Sequence, residues 1–221
     1  MDENGIKQED EQVKRNIVQN YFVNLFTSEV GEPDPTVLSD VRRSVTSDMN
    51  MMLRASFTAE EVKKALFQIG DYKAPGPDGM HAVFYKRFWE LVGDDLVKEV
   101  LAAVNTAQIP EGWNDTTIIL IPKVNDPTLV SQFRPISLCN VVYKVISMLL
   151  ANRLRGILSD VISDHQSAFV PGRLITDNIL LAYESIHRIK KKQGKKGLCA
   201  VKLDMHKAYD RVEWRFLEEI M

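Results

Sequence analysis

Apolar residues recur along this chain with two different periods, and the switches between them mark out its elements. Within 12–28, Val13, Ile17, Tyr21, Phe22 and Leu25 fall at helical spacing, which predicts an amphipathic helix. The stretch from Gly31 to Met52, with Pro33 and Pro35, has little periodicity and reads as irregular. Thr58 and Glu61 form a capping-box pattern ahead of Val62, Ala65, Leu66 and Ile69, predicting a short helix. KAPGPDG (73–79) holds two prolines and two glycines and must be a defined loop. Helices are expected over 81–93 and 94–107.

Residues 116–122 (TTIILIP) are β-branched and apolar, a strand; NDP (125–127) supplies turn chemistry, and 131–138 (SQFRPISL) returns as a second strand. Pro122 and Pro135 cannot donate to a ladder, so this hairpin belongs at an edge or beside a bulge. Val141, Val142, Val145, Ile146, Leu149, Leu150, Leu154 and Leu158 predict a well-buried helix over 140–158. Pro171-Gly172 breaks the chain before a helix over 174–192, and Lys190–Lys192 with Lys195 and Lys196 surround Gly194 in a loop. LCAVKLD (198–204) reads as a buried strand ending in a carboxylate, and KAYDRVEWRFLEEIM opens a final helix. The order of helices, hairpin, helices and strand is α+β, without a regular βαβ alternation.

A length of 221 residues suits one large domain or two small ones. No apolar run approaches the roughly 18–20 residues of a membrane helix, and the acidic start MDENGIKQEDEQ is no secretory signal. An intracellular location is expected, with no membrane partner. Cys139 and Cys199 are far apart in apolar surroundings and read as buried, reduced thiols. The net charge of −2 divides unevenly: residues 1–120 carry 12 Lys/Arg against 20 Asp/Glu, whereas 121–221 carry 16 against 10. Polyanion binding, if the chain has it, should concentrate in the basic second part. The lysine-rich loop at 190–196 fits that reading, although such loops are ordinarily only solvated.

Asp204 is the most informative single residue. An apolar strand delivering a carboxylate at its C-terminal end is a rigid way to hold a divalent cation or a nucleophile. Three classes of protein use it. Dehalogenase-type phosphatases need a second Asp two residues on, where this chain has His206. Receiver domains need further acidic residues on an earlier strand and a βα alternation. Right-hand polymerases bind two Mg²⁺ ions with such an Asp and another carboxylate from a later hairpin. A helix-capping Asp without catalytic duty is the plain alternative.

The neighbours of Asp204 narrow the choice. VKLDMHKAYDRV (201–212) resembles motif A of reverse transcriptases, in the form typical of non-LTR, LINE-type retrotransposons. KAPGPDG (73–79), IILIPK (118–123) with FRPISL (133–138), and QSAFVPGRLITDNI (166–179) resemble further motifs of the family in the family's order. The N-terminal DENGIK and YFVNLFTS are similar to the stretch just upstream, so the resemblance covers essentially the whole chain.

The resemblance implies the fingers and first palm strand of a right-hand polymerase, ending before the rest of the palm and the thumb. Residues 1–72 would be a helical N-terminal extension, 73–196 the fingers region and 197–221 the start of the palm. Lys123 and Arg134 would meet the triphosphate of an incoming dNTP. Asp204 and the backbone carbonyl of Met205 would be metal ligands, Asp204 the catalytic one, for Mg²⁺. Tyr209 would lie under the sugar and exclude a ribose 2′-hydroxyl. Gln166, Phe169, Gly172 and Arg173 would contact the template, the partners being an RNA template and a DNA primer. Asp210 matches the motif but reads as structural. No Asp-Asp pair follows Asp204, and Asp94-Asp95 lies far upstream. The chain is therefore expected to hold Mg²⁺ unproductively and to be inactive by itself. The alternatives are a non-catalytic nucleic-acid-binding fragment and a genomic relic.

Overall fold

A computed structural model describes residues 6–28, 36, 39, 41–194, 197–205 and 207–221. The acidic first residues, the Pro33–Pro35 stretch, Lys195, Lys196 and His206 lie outside the described residues. The architecture mixes helices with one small sheet. Its helices are α1 (Glu11–Phe26), α2 (Ser47–Arg54), α3 (Ala59–Gln68), α4 (Ala82–Arg87) and α5 (Trp89–Thr106). After them come strands β1 (Thr116–Pro122) and β2 (Phe133–Cys139), joined through a 3₁₀ turn at Val130–Gln132. Then follow α6 (Val141–Arg155), α7 (Leu158–Val161), α8 (Ile175–Lys191), α9 (Ala208–Arg211) and α10 (Trp214–Ile220). Among the described residues β1 and β2 pair only with each other, so both are edges and both prolines are tolerated.

The chain divides into two compact units. One comprises Met1–Arg43, Pro122–Arg134 and Ile179–Met221; the other comprises Ser44–Ile121 and Pro135–Asn178. Every buried side chain among the described residues belongs to the second unit. Its core is Val62, Ala65, Leu66 and Ile69 of the α3 region, Ala82, Leu96, Val100 and Ala103 of α4 and α5, and Val141, Val145, Ile146 and Leu149 of α6. The spacing of each set, three or four residues, turns one face of each helix to the others. Each fully buried Val or Leu contributes roughly 1.5–3 kcal/mol.

The capping box forms as the sequence predicts: Thr58 N–H donates to Glu61 Oε2 at 2.9 Å, and Glu61 N–H donates to Thr58 Oγ1 at 3.2 Å. Elsewhere the structure corrects the expectations. Residues 47–52 are not irregular but open α2, capped by Thr46, a helix too short for its periodicity to show. The break between α4 and α5 falls at Phe88, not after residue 93. Gly93 is inside α5 because a Cβ there would come 2.7 Å from the Trp89 ring, so this glycine serves close packing. The long helix ends at Arg155, leaving Leu158 to α7, and Leu150 is half exposed.

The expected buried strand at 198–204 is absent: the segment is irregular, with Val201 75% and Leu203 89% exposed. β propensity is realised only through a neighbouring ladder, and none pairs with this segment among the described residues. The final helix is two helices, α9 and α10, divided at Val212 and Glu213. Both thiols are free, but Cys139 is half-buried and Cys199 exposed.

One cation ties the start of this second unit to α6. Arg153 forms a forked pair with Glu61, Nε to Oε1 at 2.9 Å and Nη2 to Oε2 at 3.0 Å. It also donates to the carbonyls of Leu53, Ala55 and Ser56, and stacks 3.5 Å from the Phe57 ring centre. Hydrogen bonds from Arg153, then the backbone N–H of Thr58, hold the Glu61 carboxyl below the usual carboxylate range, against the opposing pull of burial. A depressed carboxylate stabilises the fold above its unfolded pKa of about 4.3, and that contribution fades as pH falls through the lower folded value. Arg153→Ala should therefore lower the unfolding free energy by about 3 kcal/mol in urea titrations at neutral pH. The deficit relative to the parent should shrink once pH drops below about 4; a deficit that stays constant across that range would remove Glu61 from the account.

Candidate functional site

The KAPGPDG loop owes its conformation to a close approach. A Cβ at Gly76 would lie 2.2 Å from Asn140 Oδ1 and 2.3 Å from the Asn140 backbone nitrogen, so only glycine lets these backbones meet. Asp78 N–H donates to Asn140 Oδ1 at 3.2 Å, and Asn140 Nδ2 donates to the Gly112 carbonyl at 3.0 Å. Lys144 Nζ holds the Ala74 carbonyl at 2.7 Å. Gly79 takes a positive φ of 70°, and Asp78 Oδ1 accepts from Met80 N–H at 2.9 Å. Burial pushes the Tyr85 hydroxyl pKa up, and the nearby Asp78 carboxylate adds to the rise. These polar groups of the motif are thus spent within the fold, mainly on the Asn140 and Lys144 side chains.

The predicted triphosphate ligands lie on the hairpin. Lys123 directly follows β1; its N–H donates to the Gln132 carbonyl at 2.8 Å, and its exposed ammonium donates to the Ser131 carbonyl at 3.2 Å. Arg134 is exposed on β2 and has no side-chain hydrogen bond or ion pair among the described residues. It presents a free guanidinium fork.

The predicted template residues form one braced loop. The Arg173 guanidinium donates to the carbonyls of Ser163 (2.5 Å), Gln166 (2.7 Å), Ile162 (3.0 Å) and Ser159 (3.4 Å), and pairs with Asp164 at 3.4 Å. Gln166 Nε2 donates to the Ala168 carbonyl at 3.1 Å. Val170 is buried and anchors the loop, while Asn178 Nδ2 donates to the buried Ser167 hydroxyl at 2.6 Å. Gly172 has φ +79°, a conformation open to glycine, and no atom lies within 4 Å of a Cβ built there. Phe169 also has a positive φ, 66°, and its side chain is 97% exposed.

Asp204 and Met205 are exposed in the irregular segment before α9. No hydrogen bond or ion pair joins Asp204 to Lys123 or Arg134 among the described residues. Tyr209 is 96% exposed, so it is no core aromatic. It lines an open groove of about 480 Å³ between residues 24–28 and 209–214, where Ser28 Oγ donates to Glu213 Oε2 at 2.5 Å. Lys207 has φ +53° and sets its ammonium 4.1 Å from the Tyr21 ring centre. Desolvation pushes the Lys207 pKa down, partly offset by Asp210. No group of three or more His, Cys, Asp or Glu side chains among the described residues could hold a metal ion.

Sequence reasoning missed Asn140, Lys144 and Arg153. Asn140 stands before an apolar helix, where an N-cap is the obvious reading, yet its side chain makes no cap bond. Its amide turns instead to the loop at 76–78 and to Gly112. A cation on the buried side of an apolar helix was the available signal for Arg153.

Comparison with known proteins places these residues in context. The family model described as reverse transcriptase (RNA-dependent DNA polymerase) matches residues 121–221. The chain is 31% identical over 216 residues to the transposon TX1 uncharacterized 149 kDa protein of Xenopus laevis, covering 97% of the chain and 16% of that protein. It is 31% identical over 145 residues to the retrovirus-related Pol polyprotein from type-1 retrotransposable element R2 of Nasonia vitripennis, covering 64% of the chain and 13% of the relative. It is 29% identical over 161 residues to the probable RNA-directed DNA polymerase from transposon BS of Drosophila melanogaster, covering 69% and 17%. The chain thus spans between 13% and 17% of the length of these relatives.

The close approach at Gly76 gives a direct test of the loop. Gly76→Ala should lower stability by roughly 2–3 kcal/mol, because the added methyl meets backbone that cannot move aside. Gly79→Ala meets open space and should cost about 1 kcal/mol, from the positive φ alone. Equal melting temperatures for the two variants would refute the close packing.

Proposed function

Because the chain belongs to the reverse transcriptase family of non-LTR, LINE-type retrotransposons, we propose that it supplies the fingers and the first palm segment of an RNA-directed DNA polymerase. In this reading 1–72 is a helical extension, 73–196 the fingers region and 197–221 the palm's beginning. Lys123 and Arg134 hold the triphosphate of the dNTP, and Arg134 offers a guanidinium uncommitted among the described residues. Tyr209 presents its ring to the sugar and selects against a 2′-hydroxyl. Gln166, Phe169, Gly172 and Arg173 form the template surface, with Arg173 as the brace of the loop and Phe169 as its outward ring.

The observation that carries the reading is Phe169. A bulky residue at φ 66° costs about 1–2 kcal/mol, and here it leaves its ring 97% exposed. Strain that ends in an exposed aromatic, on a loop braced from within by an arginine, fits a stacking platform for an unpaired base.

Asp204 and the Met205 carbonyl do not amount to a divalent-cation site, since the described residues assemble no group of metal-ligating side chains around them. The reading therefore assigns this chain substrate and template contacts, and no metal-dependent step is derived from its residues. A second reading, nucleic-acid binding without chemistry, draws on the basic charge of residues 121–221 and on Arg188, Lys190 and Lys191 in the last turn of α8.

Three measurements separate these readings from none at all. Phe169→Ala should weaken binding of single-stranded RNA about tenfold, from roughly 1–3 kcal/mol of lost stacking, without lowering the melting temperature. Unchanged affinity would sink the template assignment. Primer extension by the 221-residue chain on an RNA template should yield no product; Asp204-dependent synthesis would overturn the assignment of contacts without chemistry. RNA affinity should also fall steeply with salt, as phosphate contacts release counterions.

A further inference from the structure

We propose that Asn140 is a positioning residue that locks both feet of the β1–β2 hairpin to the KAPGPDG loop, and so sets where the hairpin carries Lys123 and Arg134. The proposal rests on the nucleotide role assigned to those two cations above. β2 runs from Phe133 to Cys139, so Asn140 is the residue that directly follows Arg134's own strand. Its amide serves two segments at once. Oδ1 accepts from Asp78 N–H at 3.2 Å, while Nδ2 donates to the Gly112 carbonyl at 3.0 Å, just upstream of β1 at Thr116. Asn140 is 7% exposed, so water cannot readily replace either bond.

The hairpin needs such an anchor because it has little core of its own. Ile118, Ile119 and Ile121 are each between 38% and 45% exposed, and no third strand joins the sheet among the described residues. An isolated two-stranded hairpin is marginal in water. Its feet are therefore held where they meet the buried helices. There, the missing Cβ of Gly76 admits the backbone of 139–140, and the Asn140 amide reads the position on both sides. Lys144, one turn into α6, holds the same loop at the Ala74 carbonyl but has no side-chain hydrogen bond to either strand among the described residues. This separates fixing the loop from fixing the hairpin.

Asn140→Asp tests the lock with little change of volume, since it keeps an acceptor for Asp78 N–H and loses the donor to Gly112. In hydrogen exchange of the full chain, β1 and β2 amides should exchange at least tenfold faster, with α3 and α5 unchanged. Lys144→Met should leave hairpin exchange as in the parent. A uniform acceleration through the core, or none in the hairpin, overturns the lock. Titration of a fluorescent dATP then reads the consequence. Asn140→Asp should weaken its binding about tenfold while leaving single-stranded RNA affinity within twofold; equal dATP affinity overturns the positioning role. If the parent binds no dATP, or binds as well after Lys123→Ala with Arg134→Ala, the nucleotide role itself fails, while the exchange data still decide the lock.

Discussion

A missing methyl group at position 76 is the constraint on which the second unit turns. Without a Cβ there, the loop between α3 and α4 can lie against the backbone where β2 ends and α6 begins. That contact brings together three parts of the chain that are distant in sequence: the helices of the core, the sheet, and the segment around Gly112. The hydrogen bonds of Asn140 and Lys144 can form only because the backbones are already that close. The two prolines flanking Gly76 act in the same direction, since they restrict the loop before folding and reduce the entropy lost on docking. A motif whose composition says only that it is a defined loop is, in the folded chain, a joint.

Arg173 shows the same economy in a second loop. A guanidinium is a rigid fork of N–H donors, and here its two Nη nitrogens serve four backbone carbonyls and one carboxylate. Backbone carbonyls left by the short helix α7 are satisfied by a side chain arriving from later in the sequence. What the loop then displays is a phenyl ring. An arginine spent on the scaffold beside an exposed aromatic is a division that residue types alone do not reveal. From sequence, the cation is the more obvious phosphate ligand.

The legibility of the chain follows where its energy is local. The capping box at Thr58 and the i, i+3, i+4 pattern of Val62, Ala65, Leu66 and Ile69 gave the helix and its buried face together, because both are settled within a few residues. The hairpin was legible for the same reason. The expected helix boundary after residue 93 was wrong, and the role of Gly93 inside the helix could not be read, because a glycine that admits a tryptophan ring shows its purpose only once the ring is placed. Asn140 and Arg153 were invisible as hubs, since their partners lie at positions 78, 112 and 53–61, and no local pattern encodes such pairings. Of the candidate site, residue types and their order could be read; which donors remained free could not.

The segment 198–204 marks the limit of reading a strand from its residues. Alternation and β-branched side chains state a preference for extended backbone, but a strand is a relation between two segments and needs hydrogen-bonded neighbours. Among the described residues no neighbour is in place, and Val201 and Leu203 accordingly lie open to water. Exposed apolar groups on unpaired extended backbone are what a pairing strand would cover. Asp204 shares that condition. A carboxylate at the end of a ladder is held in one direction by its neighbours; at the end of an unpaired segment it has no fixed aim. The rigidity that would make Asp204 useful to chemistry is therefore the same quantity the segment lacks, and it would be supplied by pairing rather than by any change in the residue itself.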